Sequence, residues 1–125
     1  MPTLKTVEEF VTVVESNQHM MAVERFYMHS ATFKDNQSFE TRTKNKQIEN
    51  EKNLLLEVKK MYSKCIRPYF IKDNYVIIKW HFRFDFKNDT FIDIEEIAYQ
   101  EWNGELIENE QFFFDPKQFI PKSID

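Results

Sequence analysis

Glycine, cysteine and closely spaced histidines are what this chain of 125 residues lacks or has little of. It contains one glycine, Gly104, and one cysteine, Cys65. Phosphate-binding loops need several glycines so that the backbone can approach the phosphate, which excludes dinucleotide and P-loop sites. A single cysteine forms no intramolecular disulfide, and the three histidines show no metal-ligand spacing. We therefore expect no cofactor and no metal site.

Long apolar runs and an excess of basic charge are also missing. The longest apolar runs are far shorter than the roughly 20 residues that cross a bilayer, and the first residues do not resemble a signal peptide. Seventeen basic residues against 21 acidic ones give a net charge of −4. Without a basic stripe, nucleic acid has no electrostatic driving force to bind. We expect a soluble, cytoplasmic protein that binds neither membrane nor nucleic acid.

Apolar and aromatic residues are plentiful. They make up 42% and 16% of the chain, and 13 residues are phenylalanine. A chain of this length and composition can bury a hydrophobic core without disulfides or metals. It contains no linker, repeat or low-complexity segment. Residues 1–125 are therefore expected to form one domain.

Helical periodicity dominates the first half of the chain. Apolar residues follow helical spacing over residues 6–16, and Thr6 begins a capping box there. A second short helix is predicted over residues 19–27. A third helix starts after Thr43, which can cap it, and runs to about Met61.

Strands dominate the second half. One short strand is predicted earlier, over residues 30–35. Four longer strands follow the third helix, over residues 62–71, 74–86, 91–102 and 105–115, with turn residues between them. Helices followed by an antiparallel meander indicate an α+β fold.

The last hairpin contains a carboxylate between apolar neighbours. With a two-residue turn at 103–104, Glu96 pairs with Gln111. One face of the hairpin then carries a single formal charge, that of Glu96, while the face with Glu110 carries several. We therefore predict that Glu96 points inward and Glu110 outward, so that Glu110 matters for the site only if the hairpin register slips.

The preceding strand places Trp80 and Phe82 on one face. An odd loop or a bulge near Asn88 would set them beside Ile94 and Glu96, and burial favours this register because the alternative opposes apolar groups with charges.

An apolar patch remains on the outer face. Tyr99, Phe112 and Phe114 would leave a broad exposed surface on a monomer. We therefore expect a homodimer through the outer sheet face.

Three segments, RFYMHSATFKDN, KNKQIENEKNLL and EEIAYQEWNGELIENEQFFFDP, resemble the SnoaL-like branch of the nuclear transport factor 2-like superfamily. The similarity spans residues 7–116. It implies a curved antiparallel sheet wrapped as a cone around the N-terminal helices (a cystatin-like roll), with a pocket between them. Members include polyketide cyclases, isomerases and epoxide hydrolases. Neither the Tyr/Asp/Asp set of the isomerases nor the Asp-Arg-Asp set of the hydrolases is matched, so neither activity transfers.

The resemblance also implies site positions. Asp35 falls near the carboxylate base of ketosteroid isomerase-like relatives, Asn36 follows it as in similar proteins, and Glu51, Glu96 and Trp102 occupy pocket-side positions. The candidate catalytic residues are Glu96, Asp35 and Glu51, and the candidate substrate-binding residues are Asn36, Trp80, Gln100 and Trp102.

Each candidate also has a structural interpretation. Asp35 can form a turn with Asn36, and Glu51 can reach water from the edge of its apolar stripe. Gln100 or Gln111 can hold Glu96 by a hydrogen bond, and both tryptophans can simply fill the core. If instead Glu96 and Glu51 share a cavity, their pKa values separate into an acid and a base.

Three functions fit these features. The first is a proton-transfer enzyme, an isomerase, cyclase or dehydratase, acting on a small apolar substrate. The second is a non-catalytic pocket for a lipophilic metabolite. The third is a dimeric interaction module whose cavity has no ligand.

Overall fold

A computed structural model describes residues 1–124, and within them it shows an α+β fold. The helices are α1 (Leu4–Glu15), α2 (His19–Phe26) and α3 (Lys44–Glu57), with a short 3-10 helix at Pro116–Phe119. The strands are β1 (Tyr27–Asp35), β2 (Arg42–Thr43), β3 (Val58–Lys72), β4 (Tyr75–Phe86), β5 (Thr90–Asn103), β6 (Leu106–Phe113) and β7 (Lys122–Ser123). None of these helices is long and apolar enough to cross a bilayer.

Of the two predicted helix N-caps, the structure confirms that of α3 and contradicts that of α1. The Thr43 side chain accepts a hydrogen bond from the Lys46 N–H, which confirms Thr43 as the N-cap of α3. In α1 the cap is Thr3, which accepts from the Thr6 N–H, so the predicted cap at Thr6 is wrong. Helix α3 ends at Glu57, before the predicted end at about Met61, because Val58 already belongs to β3 and pairs with β4.

The strands form one sheet in the order β2-β1-β6-β5-β4-β3, with β7 beside β5. The pairs from β3 to β6 are antiparallel, as predicted for the meander. However, β1 lies parallel to β6, so the sheet is mixed and the expected all-antiparallel sheet is wrong in this one place. A parallel neighbour is possible because a long stretch of chain, including α3, separates the two strands.

The core lies between the inner face of the sheet and the first two helices. In α1, Val7, Phe10, Val11 and Val14 are buried at helical spacing. Alternate residues of β4 are buried against them, from Val76 to Phe84. In α3 the one buried residue is Gln47, and Leu55, predicted to lie on its buried face, is exposed. Because α3 is not packed tightly on the sheet, space remains beneath it.

The register between β4 and β5 follows the prediction. Trp80 lies opposite Glu96, and Phe82 lies opposite Ile94. Residues 87–89 form the odd connection between these strands. The aromatic face of β4 and the carboxyl of Glu96 are therefore on the same side of the sheet.

The register between β5 and β6 differs from the prediction. Asn103 pairs with Leu106, so the turn residues are 104–105. A bulge follows in β6, where Ile107 pairs with Trp102 and Asn109 with Glu101, which leaves Glu108 as the extra residue. An extra residue in one strand reverses the faces of everything beyond it. Gln100 therefore lies opposite Glu110, and Glu110 faces inward. The predicted pairing of Glu96 with Gln111 is wrong.

Candidate functional site

A half-open cleft of about 440 Å³ lies between the helices and the inner face of the sheet. Its wall is mostly aromatic and includes Phe10, Tyr27, Trp80, Phe82, Phe84 and Phe114. The cleft lies where α3 stands away from the sheet, and its size suits a small molecule. The sequence predicts that Glu96 points into a largely enclosed pocket, whereas this cleft is half open.

Among residues 1–124, four carboxyl groups line the cleft, each from a different element. Asp35 comes from β1, Glu51 from α3, Glu96 from β5 and Glu110 from β6. The fold thus brings together the three carboxylates proposed from the sequence and adds a fourth.

Glu96 projects from β5 into the cleft beside Trp80. No group in residues 1–124 donates a hydrogen bond to its carboxyl. Desolvation, reinforced by repulsion from Glu110, Asp35 and Glu51, raises the pKa of Glu96 to about 8, and Arg42 opposes this shift. Near pH 7 the side chain is therefore mostly protonated and can donate a proton.

Glu110 is held by a directional chain of hydrogen bonds. The Tyr27 hydroxyl donates to its Oε1, and the Gln100 amide donates to its Oε2 at 2.6 Å. The Trp102 indole N–H, which can only donate, donates to Gln100 Oε1 at 2.9 Å and so fixes the orientation of that amide. Burial raises the pKa of Glu110 to about 7, although the two donors favour its ionised form.

Glu51 lies between an amide and an imidazole. Gln47 Nε2 donates to its Oε1 at 3.1 Å, and His19 Nδ1 lies 3.8 Å from its Oε2. Burial raises the pKa of Glu51 to about 7 and lowers that of His19 to about 4. His19 is therefore neutral at pH 7, and its Nε2 lies 2.8 Å from Ser63 Oγ. The His19–Glu51 contact is not an ion pair near neutral pH.

Asp35 is paired with the one arginine of the cleft. Arg42 donates from both terminal nitrogens to the two oxygens of Asp35, at 2.7 and 3.0 Å. Its Nε donates to Gln47 Oε1 at 2.9 Å, which connects Arg42 to Glu51 through the same amide. A bidentate guanidinium neutralises Asp35, so Asp35 is not a free base in this arrangement.

Three predicted substrate-binding residues lie outside the cleft lining. Gln100 and Trp102 are fully buried behind Glu110, where Gln100 supports the carboxyl directly. Asn36 forms a turn at the end of β1, where its Oδ1 accepts the Phe114 N–H at 2.9 Å. Of the four, Trp80 alone lines the cleft.

Four site residues were missed in the sequence: Glu110, Tyr27, Arg42 and His19. The signal for Glu110 was that it shares one face of its strand with Phe112 and Phe114, because a bulge in that strand turns all three inward. The other three carry no pattern that separates them from ordinary core or surface residues. Within residues 1–124, no group of three or more His, Cys, Asp or Glu side chains is arranged to hold a metal ion.

Removing the positive charge of Arg42 should raise the pKa of the cleft carboxyls. Arg42 lowers the pKa of Glu51, Glu96 and Glu110, so Arg42→Met is expected to move their titration to higher pH. Carbon-13 NMR of the carboxyl carbons measures this directly. Arg25→Met is the control, because Arg25 pairs with Glu9 on the surface. Unchanged titration in the Arg42 variant would mean that solvent screens its charge from the cleft.

The sequence matches no family model and no curated protein. Solved structures, in contrast, match over nearly the whole chain. A nuclear transport factor 2-like protein of unknown function from Burkholderia pseudomallei aligns with a TM-score of 0.75 and 10% identity, covering 94% of this chain and 93% of that chain.

Two further structures match similarly. A SnoaL-like protein from Mesorhizobium loti, proposed to be a polyketide cyclase, aligns with a TM-score of 0.70 and 9% identity, over 88% of this chain and 97% of that chain. A protein with a ketosteroid isomerase-like fold from Catenulispora acidiphila, in complex with trimethylamine, aligns with a TM-score of 0.71 and 12% identity, over 90% and 87%. The chain therefore has the cone-shaped fold of the SnoaL-like and ketosteroid isomerase-like members of the nuclear transport factor 2-like superfamily.

Proposed function

We propose that this protein binds a small, largely apolar molecule in the cleft and catalyses proton transfer on it, as an isomerase, cyclase or dehydratase does. The observation that carries this proposal is the set of three carboxyls, Glu51, Glu96 and Glu110, whose pKa values burial raises to between about 7 and about 8 in one aromatic cleft. Acids and bases work best when their pKa lies near the working pH.

Glu96 is the residue that we propose to exchange a proton with the substrate. Its carboxyl accepts no hydrogen bond from residues 1–124, and its side chain lines the cleft, where a ligand can reach it. Glu51 is the proposed partner. Two carboxylates in one cavity repel each other, so one of the two is protonated while the other is ionised. The ionised carboxylate takes a proton from a substrate carbon, and the protonated carboxyl gives a proton to a different atom of the substrate.

The remaining groups position these two. Both oxygens of Glu110 already accept hydrogen bonds, so its role is to set the local charge. Asp35, paired with Arg42, controls the electrostatic potential instead of acting as the base.

Small-molecule binding on this fold has a direct precedent, because the Catenulispora acidiphila protein was solved with trimethylamine. That comparison supports the binding of a small ligand but says nothing about a reaction. The proposal of proton transfer therefore depends on the carboxyls alone.

Deuterium exchange tests the proposal without knowledge of the substrate. Small cyclic ketones are incubated with the protein in deuterated water, and proton NMR follows the loss of hydrogen next to the carbonyl. We expect the wild type to accelerate exchange of at least one ketone, and Glu96→Gln to lose most of that acceleration, on the order of 10²-fold. Glu95→Gln is the control, since Glu95 is exposed on the opposite face of β5.

A non-catalytic binding protein is the second candidate. The observation that favours it is Glu110, which is fully hydrogen-bonded and thus arranged as a structural group. Ketones that bind in the cleft but exchange no faster than in buffer would support this function and contradict the first. A cleft that binds none of them would leave the interaction module as the remaining alternative.

We also propose a homodimer through the outer face of the sheet. Ile77, Ile97, Tyr99 and Phe113 are 37–42% exposed there. Phe112 and Phe114, expected on this face, line the cleft side because of the β6 bulge. The remaining patch is still apolar and adjoins Tyr75, which contacts Tyr99.

Sedimentation at micromolar concentration should show a dimer that Tyr99→Lys converts to a monomer, because a buried lysine without a partner is costly. Phe39→Lys is the control, since Phe39 is fully exposed in the loop before β2. A wild-type monomer would show that the outer face is solvated in solution.

A further inference from the structure

The charges that line the cleft do not balance. Four carboxyls face it, whereas its described lining contains one arginine, Arg42, and one histidine, His19. Burial lowers the pKa of His19 to about 4, so its imidazole carries no charge near pH 7. The cleft thus has more acidic groups than positive charges to neutralise them.

The positive charge of Arg42 is already committed. Its two terminal nitrogens bind both oxygens of Asp35, and its Nε binds Gln47. This fork-to-fork arrangement directs the guanidinium at one carboxylate. The carboxyls of Glu51 and Glu110 have amide and phenol donors instead of cations as hydrogen-bond partners.

Glu96 has no hydrogen-bond donor at all within residues 1–124. Its side chain lines the cleft, and its residue pairs with Trp80 across the sheet. A buried carboxyl without a partner costs free energy whether it is protonated or ionised, and the cost is larger when it is ionised. A ligand that enters the cleft is therefore in a position to supply the missing partner.

The aromatic rings beside Glu96 form an apolar wall of the cleft. Trp80 stacks on Phe82 with ring centres 5.5 Å apart, and Phe82 stacks on Phe84 at 6.0 Å, along the inner face of β4. Stacked rings turn their faces to one another, so they offer apolar surface, and the attraction for positive charge comes from the carboxyls. The same rings bury the apolar part of a ligand.

We infer that the cleft accepts a small organic cation, a hydrophobic molecule with one positively charged nitrogen, and that Glu96 pairs with this charge. This inference rests on the proposed function of the cleft as a small-molecule site and names the chemical class of its ligand. The ligand supplies the positive charge that Arg42, held by Asp35, does not. With the cation bound, Glu96 is ionised and serves as the base.

Proton release should accompany the binding. The groups that face Glu96 from the surrounding elements are Asp35 of β1, Arg42 of β2, Glu51 of α3 and Glu110 of β6, with His19 of α2 behind Glu51. Burial and the other carboxyls raise the pKa of Glu96 to about 8, so in the free protein it is protonated at neutral pH. A cation binds the ionised form better, so its affinity should increase as the pH rises toward 8 and then level off.

A matched pair of probes separates charge from shape. Phenyltrimethylammonium and tert-butylbenzene have the same shape, but the first carries a positive charge and neither has an N–H donor. Their dissociation constants are measured by titration with the wild type at about pH 6 and about pH 8.5. We expect the cation to bind at least about tenfold more tightly than the neutral probe at the higher pH. We also expect its affinity to fall severalfold at the lower pH, while that of the neutral probe stays constant.

Variants locate the effect. Glu96→Gln should lose most of the preference for the cation, keep only the weaker pH dependence that Glu51 and Glu110 cause, and bind tert-butylbenzene within about twofold of the wild type. Glu95→Gln, on the exposed face, should behave as the wild type. Equal affinity for the two probes overturns the inference and leaves the proposed apolar site intact. Failure of both probes to bind overturns the inference together with the small-molecule site on which it rests, whereas cation binding without ketone exchange contradicts only the proposed catalysis.

Discussion

Replacing Glu96 with glutamine will stabilise the protein by about 2–4 kcal/mol at pH 8.5 and change its stability little at pH 4. Glutamine keeps the shape of a protonated carboxyl but cannot ionise. Most substitutions of buried residues destabilise. A gain of this size is therefore a specific consequence of a carboxyl that its surroundings do not neutralise.

The direction of the pH dependence follows from the pKa of Glu96 in the two states. In the folded protein it is about 8, raised mainly by desolvation, against 4.5 for the ordinary side chain. Between these values the folded state holds a proton that the unfolded state has lost, so the stability of the wild type falls as the pH rises through about 8. Below pH 4.5 both states are protonated, and the wild type has no such loss. The pKa shift from 4.5 to about 8 corresponds to at most about 5 kcal/mol. Water that enters the half-open cleft solvates the carboxylate and reduces the expected gain to about 2–4 kcal/mol.

Chemical denaturation at several pH values measures the effect as the difference in free energy of unfolding between variant and wild type. Glu95→Gln changes the same residue type one position away, on the exposed face, and should show no increase with pH. If Glu96→Gln is no more stable than the wild type at pH 8.5, Glu96 is solvated, and both its proposed role in proton transfer and its proposed pairing with a cation lose their basis.

The parts of the fold that could be predicted are those in which burial selects one pattern. The register of β4 against β5 is an example, because any other register opposes the aromatic face of β4, with Trp80 and Phe82, to charged residues of β5. The α3 cap at Thr43 is another, because it depends only on local sequence. Both predictions needed no knowledge of distant contacts.

The β5–β6 register could not be predicted, because a bulge leaves no unambiguous mark in the sequence. Asn103-Gly104 indicates a turn, but the observed turn is one residue later, and Gly104, with a φ of 60°, serves as its first residue. The bulge then places Glu110 on the inner face. Alternation alone assigned Glu110 to the outer face.

Several residues of the site could not be predicted either, because their contacts leave no pattern in the sequence. Arg42 reaches Asp35 across the β1–β2 pair, and β2 is only two residues long, too short to show a strand pattern. His19 belongs to a helix and Ser63 to the distant strand β3, so only the folded chain shows that they meet. Tyr27, which donates to the buried Glu110, is likewise far from it in the chain, whereas sequence periodicity reports on local structure.

Replacing Tyr27 with phenylalanine will destabilise the protein by about 2–3 kcal/mol at pH 8.5 and by less at pH 5. The Tyr27 hydroxyl donates to Glu110 Oε1, and both side chains are buried. Burial and the neighbouring Glu110 raise the pKa of Tyr27 well above its ordinary value, so the hydroxyl keeps its proton and remains a donor. Phenylalanine fills the same space, including the stack against Phe33, and removes only the hydroxyl.

The pH dependence distinguishes this bond from ordinary packing. The pKa of Glu110 is raised to about 7 by burial, while the Tyr27 and Gln100 donors hold it lower than burial alone would. Without the Tyr27 donor the pKa rises further, so the variant pays more than the wild type to ionise Glu110. In both proteins the stability falls as the pH rises through the folded-state pKa of Glu110, and the fall continues to higher pH in the variant. The stability difference should therefore widen above pH 7.

Tyr69→Phe is the matched control, because the Tyr69 hydroxyl also donates to a carboxylate, that of Glu8. Arg67 donates two hydrogen bonds to Glu8 as well, at 2.8 and 3.1 Å, and Glu8 is exposed to water, so its charge stays solvated without the tyrosine. Denaturation at pH 5 and pH 8.5, together with carbon-13 titration of Glu110, should show a pH-dependent loss in the Tyr27 variant and a small, constant one in the Tyr69 variant. A loss that is the same at both pH values for Tyr27→Phe, with an unchanged titration of Glu110, would mean that the hydroxyl contributes packing alone. The support of Glu110 would then fall to Gln100, whose orientation the Trp102 indole fixes.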